Sequence, residues 1–226
     1  MKKSLWAFLS ILVLTSTIVS CGPAALQSDN VGGTWTTNVG IVNFVQNGSN
    51  ITGAIEGYGG GRNDTFTGTI NESGEAVFST DWFGDFTLVF SENVFKTKSN
   101  DLMFCGIRGE KDLPDWCGFS GKWIVPSKSV FPAGSYMILK QSGDKVTGDL
   151  FDGNDNNYDS FAGVVEWGKG WRANGVSSQR GELSLWMNAS ETGFQFMYGS
   201  TGNQQELCAL REGYTSAYIS SFTCEP

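Results

Sequence analysis

The chain states one plan twice. Gly33-Thr34-Trp35 returns as Gly121-Lys122-Trp123, and the run from Gln46 to Gly53 (QNGSNITG) returns from Gln141 to Gly148 (QSGDKVTG). Phe66-Thr67-Gly68 pairs with Phe161-Ala162-Gly163. Phe86, Leu88 and Phe90 pair with Phe194, Phe196 and Tyr198, and Cys105-Gly106-Ile107-Arg108 pairs with Cys208-Ala209-Leu210-Arg211. The order is the same in both halves and the spacing drifts as loop insertions would make it. Such a chain must build one supersecondary unit and then build it again. The expected division is residues 32–118 for the first unit and 119–226 for the second.

Each unit reads as strands. Ile51, Gly53 and Ile55 alternate with Thr52, Ala54 and Glu56, and Phe66, Gly68 and Ile70 alternate with Thr65, Thr67 and Thr69. A period of two puts the first set of each on one face. Asn47-Gly48, Ser73-Gly74 and Ser142-Gly143 separate such runs and suit tight hairpins. Connections this short make neighbours antiparallel, because a parallel pairing needs a long crossover. No long stretch carries a helical period; residues 203–212 permit a short helix, but their match to 102–108 argues for a strand. A meander with one apolar face must bury it by curling shut or by packing on a second sheet. Gly53, Gly68, Gly148 and Gly163 inside strands favour curling. The expected fold is all-β, with antiparallel up-and-down meanders closing into two small tandem barrels. One continuous larger barrel or a sandwich is the alternative.

Residues 1–20 carry an address. Lys2-Lys3, an apolar run from Leu5 to Val19 and small residues before Cys21 form the layout of a secretory signal. The run is shorter than the roughly 20 residues that comfortably span a bilayer. Ile18-Val19-Ser20-Cys21 resembles a bacterial lipobox. The resemblance implies acylation of Cys21, a tether over 21–31, and a lipid anchor in the outer membrane of a bacterial envelope. The membrane is then the first expected partner.

Four further cysteines, Cys105, Cys117, Cys208 and Cys224, read as disulfides in an exported chain. Three pairings are open; Cys105–Cys117 with Cys208–Cys224 is the one that respects the repeat.

Gly-x-Trp on the first strand and an Arg on the last resemble the calycins, which include lipocalins and avidins. That resemblance implies that Trp35 meets Arg108 and Trp123 meets Arg211, each pair closing one barrel end. It leaves the strand number of each unit open, since the units are short for eight strands. An eight-stranded interior is only just wide enough for side chains or one small ligand.

Composition removes several functions. The net charge is −8 and becomes −10 once Lys2 and Lys3 leave with the signal, so phosphate backbones are repelled and no nucleic acid is expected. Histidine is absent, which removes Ser-His-Asp and Cys-His machinery and the usual zinc, copper and haem ligands. Among the rest, Asp152, Asn154, Asn156 and Asp159 place oxygens at the spacing of a calcium loop, but the closing Glu is replaced by Gly163. The simpler reading is a hairpin loop of Asx-turns, so no cofactor is expected, with Ca²⁺ as the candidate exception. Tyr58, Tyr158, Trp167 and Trp171 are candidates for an aromatic platform that takes a glycan or a small apolar ligand. Carboxylate pairs Asp81/Asp85 and Asp149/Asp152 supply the alternative, an enzyme of glycans or small molecules. The preferred reading is a non-catalytic binding or scaffold module of the envelope.

Overall fold

The structure, a computed structural model, describes residues 30–58, 63–80, 84–99, 103–109, 111–126, 131–166, 171–198, 205–219 and 222–225. The first unit has eight strands: β1 (Gly33–Thr37), β2 (Gly40–Asn47), β3 (Asn50–Gly57), β4 (Asp64–Ile70), β5 (Glu75–Thr80), β6 (Gly84–Ser91), β7 (Val94–Thr97) and β8 (Cys105–Arg108). The second has eight more: β9 (Gly121–Ile124), β10 (Tyr136–Ser142), β11 (Lys145–Phe151), β12 (Asn157–Glu166), β13 (Trp171–Ser177), β14 (Gly181–Met187), β15 (Gly193–Tyr198) and β16 (Gln205–Arg211). Each set is an antiparallel meander that closes on itself. Thr36 pairs with Ile107 to seal the first barrel, and Arg211 with Trp123 to seal the second. A hairpin, β17 (Ala217–Ile219) and β18 (Phe222–Cys224), packs on β15 and β16. The fold is thus two tandem calycin-like barrels. Eight strands fit a short unit because β7, β8 and β9 are four residues long.

Strand order corrects one element of the repeat. β6 is the counterpart of β14, so Phe86, Leu88 and Phe90 answer to Leu183, Leu185 and Met187, and not to Phe194, Phe196 and Tyr198 on β15. Both strands alternate large apolar residues, and that alternation alone does not distinguish neighbours. With the correction, the residue offset between the halves rises steadily along the chain.

The interiors are filled. In the first barrel Trp35, Phe44, Phe66, Phe78, Phe90 and Phe95 form a continuous set of ring contacts, mostly edge-to-face. Such geometry suits the ring quadrupole. Gly53 makes room for it: a Cβ there would overlap the Phe66 ring. Outward positions of β3 and β4 such as Thr52, Glu56, Thr65 and Thr67 are exposed. On these two strands apolar residues face in and polar residues face out.

The barrels stack head to tail. Call the end where β1 begins and β8 finishes the tail of the first barrel, and the opposite end its mouth. Asn38 and Met103, at that mouth, bond Glu191 and the Ala189 carbonyl, which lie at the tail of the second barrel. Tyr58, at the end of β3, joins the core of the second barrel, with Ile41 packed against that core. The Cys105–Cys117 disulfide ties β8 to the segment that leads into β9. Among the described residues, the far end of the second barrel is therefore the free mouth.

Candidate functional site

Both tails carry the same plug. Gly33 and Gly121 take φ of +118° and +123°, which side chains rarely adopt. This turn drives Trp35 and Trp123 inward, and both are fully buried. Each indole N–H donates to the carbonyl four residues back, Val31 and Phe119 respectively, at 2.9 Å. The Arg108 guanidinium lies 4.6 Å from the Trp35 ring and donates to the Gly32 and Asn30 carbonyls. The Arg211 guanidinium lies 4.2 Å from Trp123 and donates to the carbonyls of Asp115, Gly118, Ser120 and Glu191. Burial pulls the Arg211 pKa down, and Glu191 opposes this. Gln46 and Gln141 repeat the pattern: each accepts from the backbone N–H four residues before its tryptophan and donates to the carbonyl of its hairpin glycine.

The polar cluster of the free mouth centres on Asp159, 4% exposed at the start of β12. Its carboxylate accepts hydrogen bonds from the hydroxyls of Ser177, Ser178 and Tyr198 and from the N–H of Gln179 and Ser160. Burial alone would raise the Asp159 pKa, but these donors outweigh it and hold the carboxyl below the usual range. Tyr198 is pushed up to about 12, first by burial and then by Asp159, and Arg180 stacks over its ring at 5.2 Å. Phe131 folds over the mouth against Tyr198 at 4.8 Å. Tyr158 sits beside it, its hydroxyl buried near Ser135 without a well-aligned hydrogen bond. Behind the cluster, Met137, Leu139, Leu150, Phe161 and Leu183 enclose a cavity of about 20 Å³. That holds about one water molecule. Among the described residues the arrangement is a polar stopper for the barrel, and the space behind it is too small for a ligand larger than water.

The other sequence candidates do not converge. Tyr58 and Trp171 lie at the seam between barrels, where Trp171 packs against both cores. Tyr158 lies at the opposite end, so these three form no platform; Trp167 falls outside the described residues. The loop at Asp152 is a set of Asx-turns: Asp152 accepts from the N–H groups of Asn154 and Asn156 and from the Asn156 amide. These donors hold its carboxyl below the usual range. Asp159 points into the barrel and away from that loop's oxygens, and among the described residues no group of three Asp, Glu or Cys side chains is placed to hold a metal ion. Asp85 is exposed, Asp149 is bonded by Asn157 on the outer wall, and Asp81 is outside the described residues, as is Cys21. The cysteines pair as Cys105–Cys117 and Cys208–Cys224. A shallow polar depression of about 350 Å³ on the first barrel is bordered by Asn43, Glu56, Asn63 and Asp64.

Sequence reasoning passed over the most unusual carboxylate. Glu191 is 1% exposed at the seam, in a turn with φ of +55°. Burial pushes its carboxyl up to about 7, against the pull of Arg211, Asn38 and the Gly118 N–H. Only the repeat could have drawn attention to it, since Glu92 occupies the equivalent turn with φ of +48°.

No protein-family model matches the chain, and no curated protein matches it. Among solved structures, the DNA polymerase III subunit beta from Pseudomonas aeruginosa aligns at 9% identity, over 80% of this chain and 57% of that one, with a TM-score of 0.17. The chain thus spans little more than half of that protein, and so loose an overlap carries no argument.

Proposed function

We propose that the chain is a non-catalytic scaffold of the bacterial envelope, held by a lipid on Cys21 and built as a stiff two-barrel spacer. One observation carries the scaffold reading: a cavity of about 20 Å³ lies behind the mouth of the second barrel, while aromatic rings fill the first. Calycin-like barrels that store ligands need a lumen, and drug-sized ligands need concave sites of roughly 300 Å³ or more that bury them, whereas the depression of about 350 Å³ on the first barrel is shallow and polar. The free mouth lies at the end opposite Asn30, so anchoring through the N-terminal segment would hold that mouth away from the membrane. The disulfides suit an oxidising compartment. The enzyme reading needs a carboxylate of raised pKa in a cleft. Glu191 has the raised pKa, yet it offers a substrate almost no surface.

Two measurements test this. Metabolic labelling with an alkyne fatty acid in a bacterial host should label the chain and place it in the membrane fraction, and Cys21→Ser should abolish both. Unlabelled wild-type chain would remove the anchor. A thermal-shift screen of lipids and glycans should leave the melting temperature unchanged. A saturable rise would replace the scaffold with a binding module.

A further inference from the structure

The joint between the barrels closes around one acid. Asn38 Nδ2, from the turn between β1 and β2, donates to Glu191 Oε1 at 2.6 Å. The Gly118 N–H donates to Oε2 at 2.6 Å. Arg211 Nη2 stands 3.8 Å from Oε2, and Cys105 Sγ also stands 3.8 Å from it. The same Asn38 side chain binds the Met103 carbonyl and the Cys105 N–H, which locks the acid to the mouth of the first barrel. Glu191 is thus the point where β1–β2, β8, the linker and β16 meet.

The two 3.8 Å contacts demand opposite protonation states. Arg211 attracts a carboxylate. Cys105 is disulfide-bonded, so its sulfur has no hydrogen and can only accept; it makes a hydrogen bond to Glu191 only if the carboxyl donates one. We propose that the joint is a proton-operated latch: on taking up a proton from solvent, Glu191 exchanges its ion-pair contact with Arg211 for a hydrogen bond to the Cys105 sulfur, and the two barrels are held more tightly. The other charged groups nearby are one step removed. Asp115 and Tyr214 flank Arg211, and Asp144 faces Tyr58 across the seam.

The sign follows from linkage. The folded chain binds the proton with a value of about 7, raised by burial from the ordinary 4.5. Stability from this group is complete below the ordinary value and is lost as pH rises through about 7. The repeat supplies an internal control, because Glu92 occupies the equivalent turn but is exposed.

The test is thermal unfolding of the oxidised, full-length chain as wild type, Glu191→Gln and Glu92→Gln, over a pH range spanning both values. The wild-type melting temperature, taken relative to Glu191→Gln, should fall by roughly 5–10 °C as the acid ionises. Glu92→Gln should follow wild type. Parallel curves for wild type and Glu191→Gln would overturn the proposal. If Glu191→Gln fails to fold, carboxyl ¹³C NMR of the wild type decides. A Glu191 resonance that titrates near neutral pH supports the latch, and one that titrates with the surface carboxylates removes it.

Discussion

Arg211 and Arg108 play the same part with different consequences. Arg211 is 7% exposed and satisfies four backbone carbonyls at the seam, whereas Arg108 satisfies two at the tail of the first barrel. Replacing Arg211 with Met strands buried acceptors and leaves Glu191 without its cation. Denaturant unfolding at pH above the Glu191 titration should record a loss of about 3–5 kcal/mol, against about 1–2 kcal/mol for Arg108→Met. Equal losses would mean that the seam adds nothing to the plug. The Trp and Arg positions were legible because Gly-x-Trp and Cys-x-x-Arg recur in order. Glu191 was not. Its local sequence, Ser-Glu-Thr-Gly, reads as a surface turn, and so does the segment around Glu92. Only the arrival of the first barrel's mouth buries one and leaves the other in water, and burial by a distant segment leaves no local pattern.

At the scale of the strand, alternation and turn residues carried most of the information. Gly48 and Gly143 take φ of +60° and +61° in the hairpins their Asn-Gly and Ser-Gly pairs announced. Alternation failed where two successive strands share it, as β14 and β15 do, so that β15 stood in for β14 as the counterpart of β6. Of the in-strand glycines, Gly53 is explained by the ring beside it, whereas Gly68 and Gly148 lie first against the backbone carbonyls of Val77 and Ile138. Gly53→Val should cost about 1–3 kcal/mol by overpacking against Phe66. Phe66→Ala should cost about 3–5 kcal/mol. The double variant should cost less than the sum, since the smaller residue vacates the space the larger one fills. Additive losses, measured by the same unfolding experiment, would mean that the glycine serves the backbone rather than the ring. In the acidic run at Asp152, whose composition suits calcium, the Asp152 carboxylate accepts hydrogen bonds from Asn154 and Asn156 in the turn.

At the scale of the molecule, the duplication was readable and the stacking was not. Sequence similarity says that two barrels exist; it does not say that the mouth of one is capped by the tail of the other. That joint rests on Tyr58 in the neighbouring core, the Met103–Ala189 bond, the Glu191 cluster and the Cys105–Cys117 disulfide. Such a joint leaves neither barrel able to melt without exposing the other's buried surface. Differential scanning calorimetry of the intact, oxidised chain, at a pH where Glu191 is protonated, puts this to the test. A stiff spacer predicts one transition, with the calorimetric enthalpy equal to the van't Hoff enthalpy. Two resolved transitions in the wild-type chain would show barrels that fold independently on a loose hinge, and the spacer would fall with them.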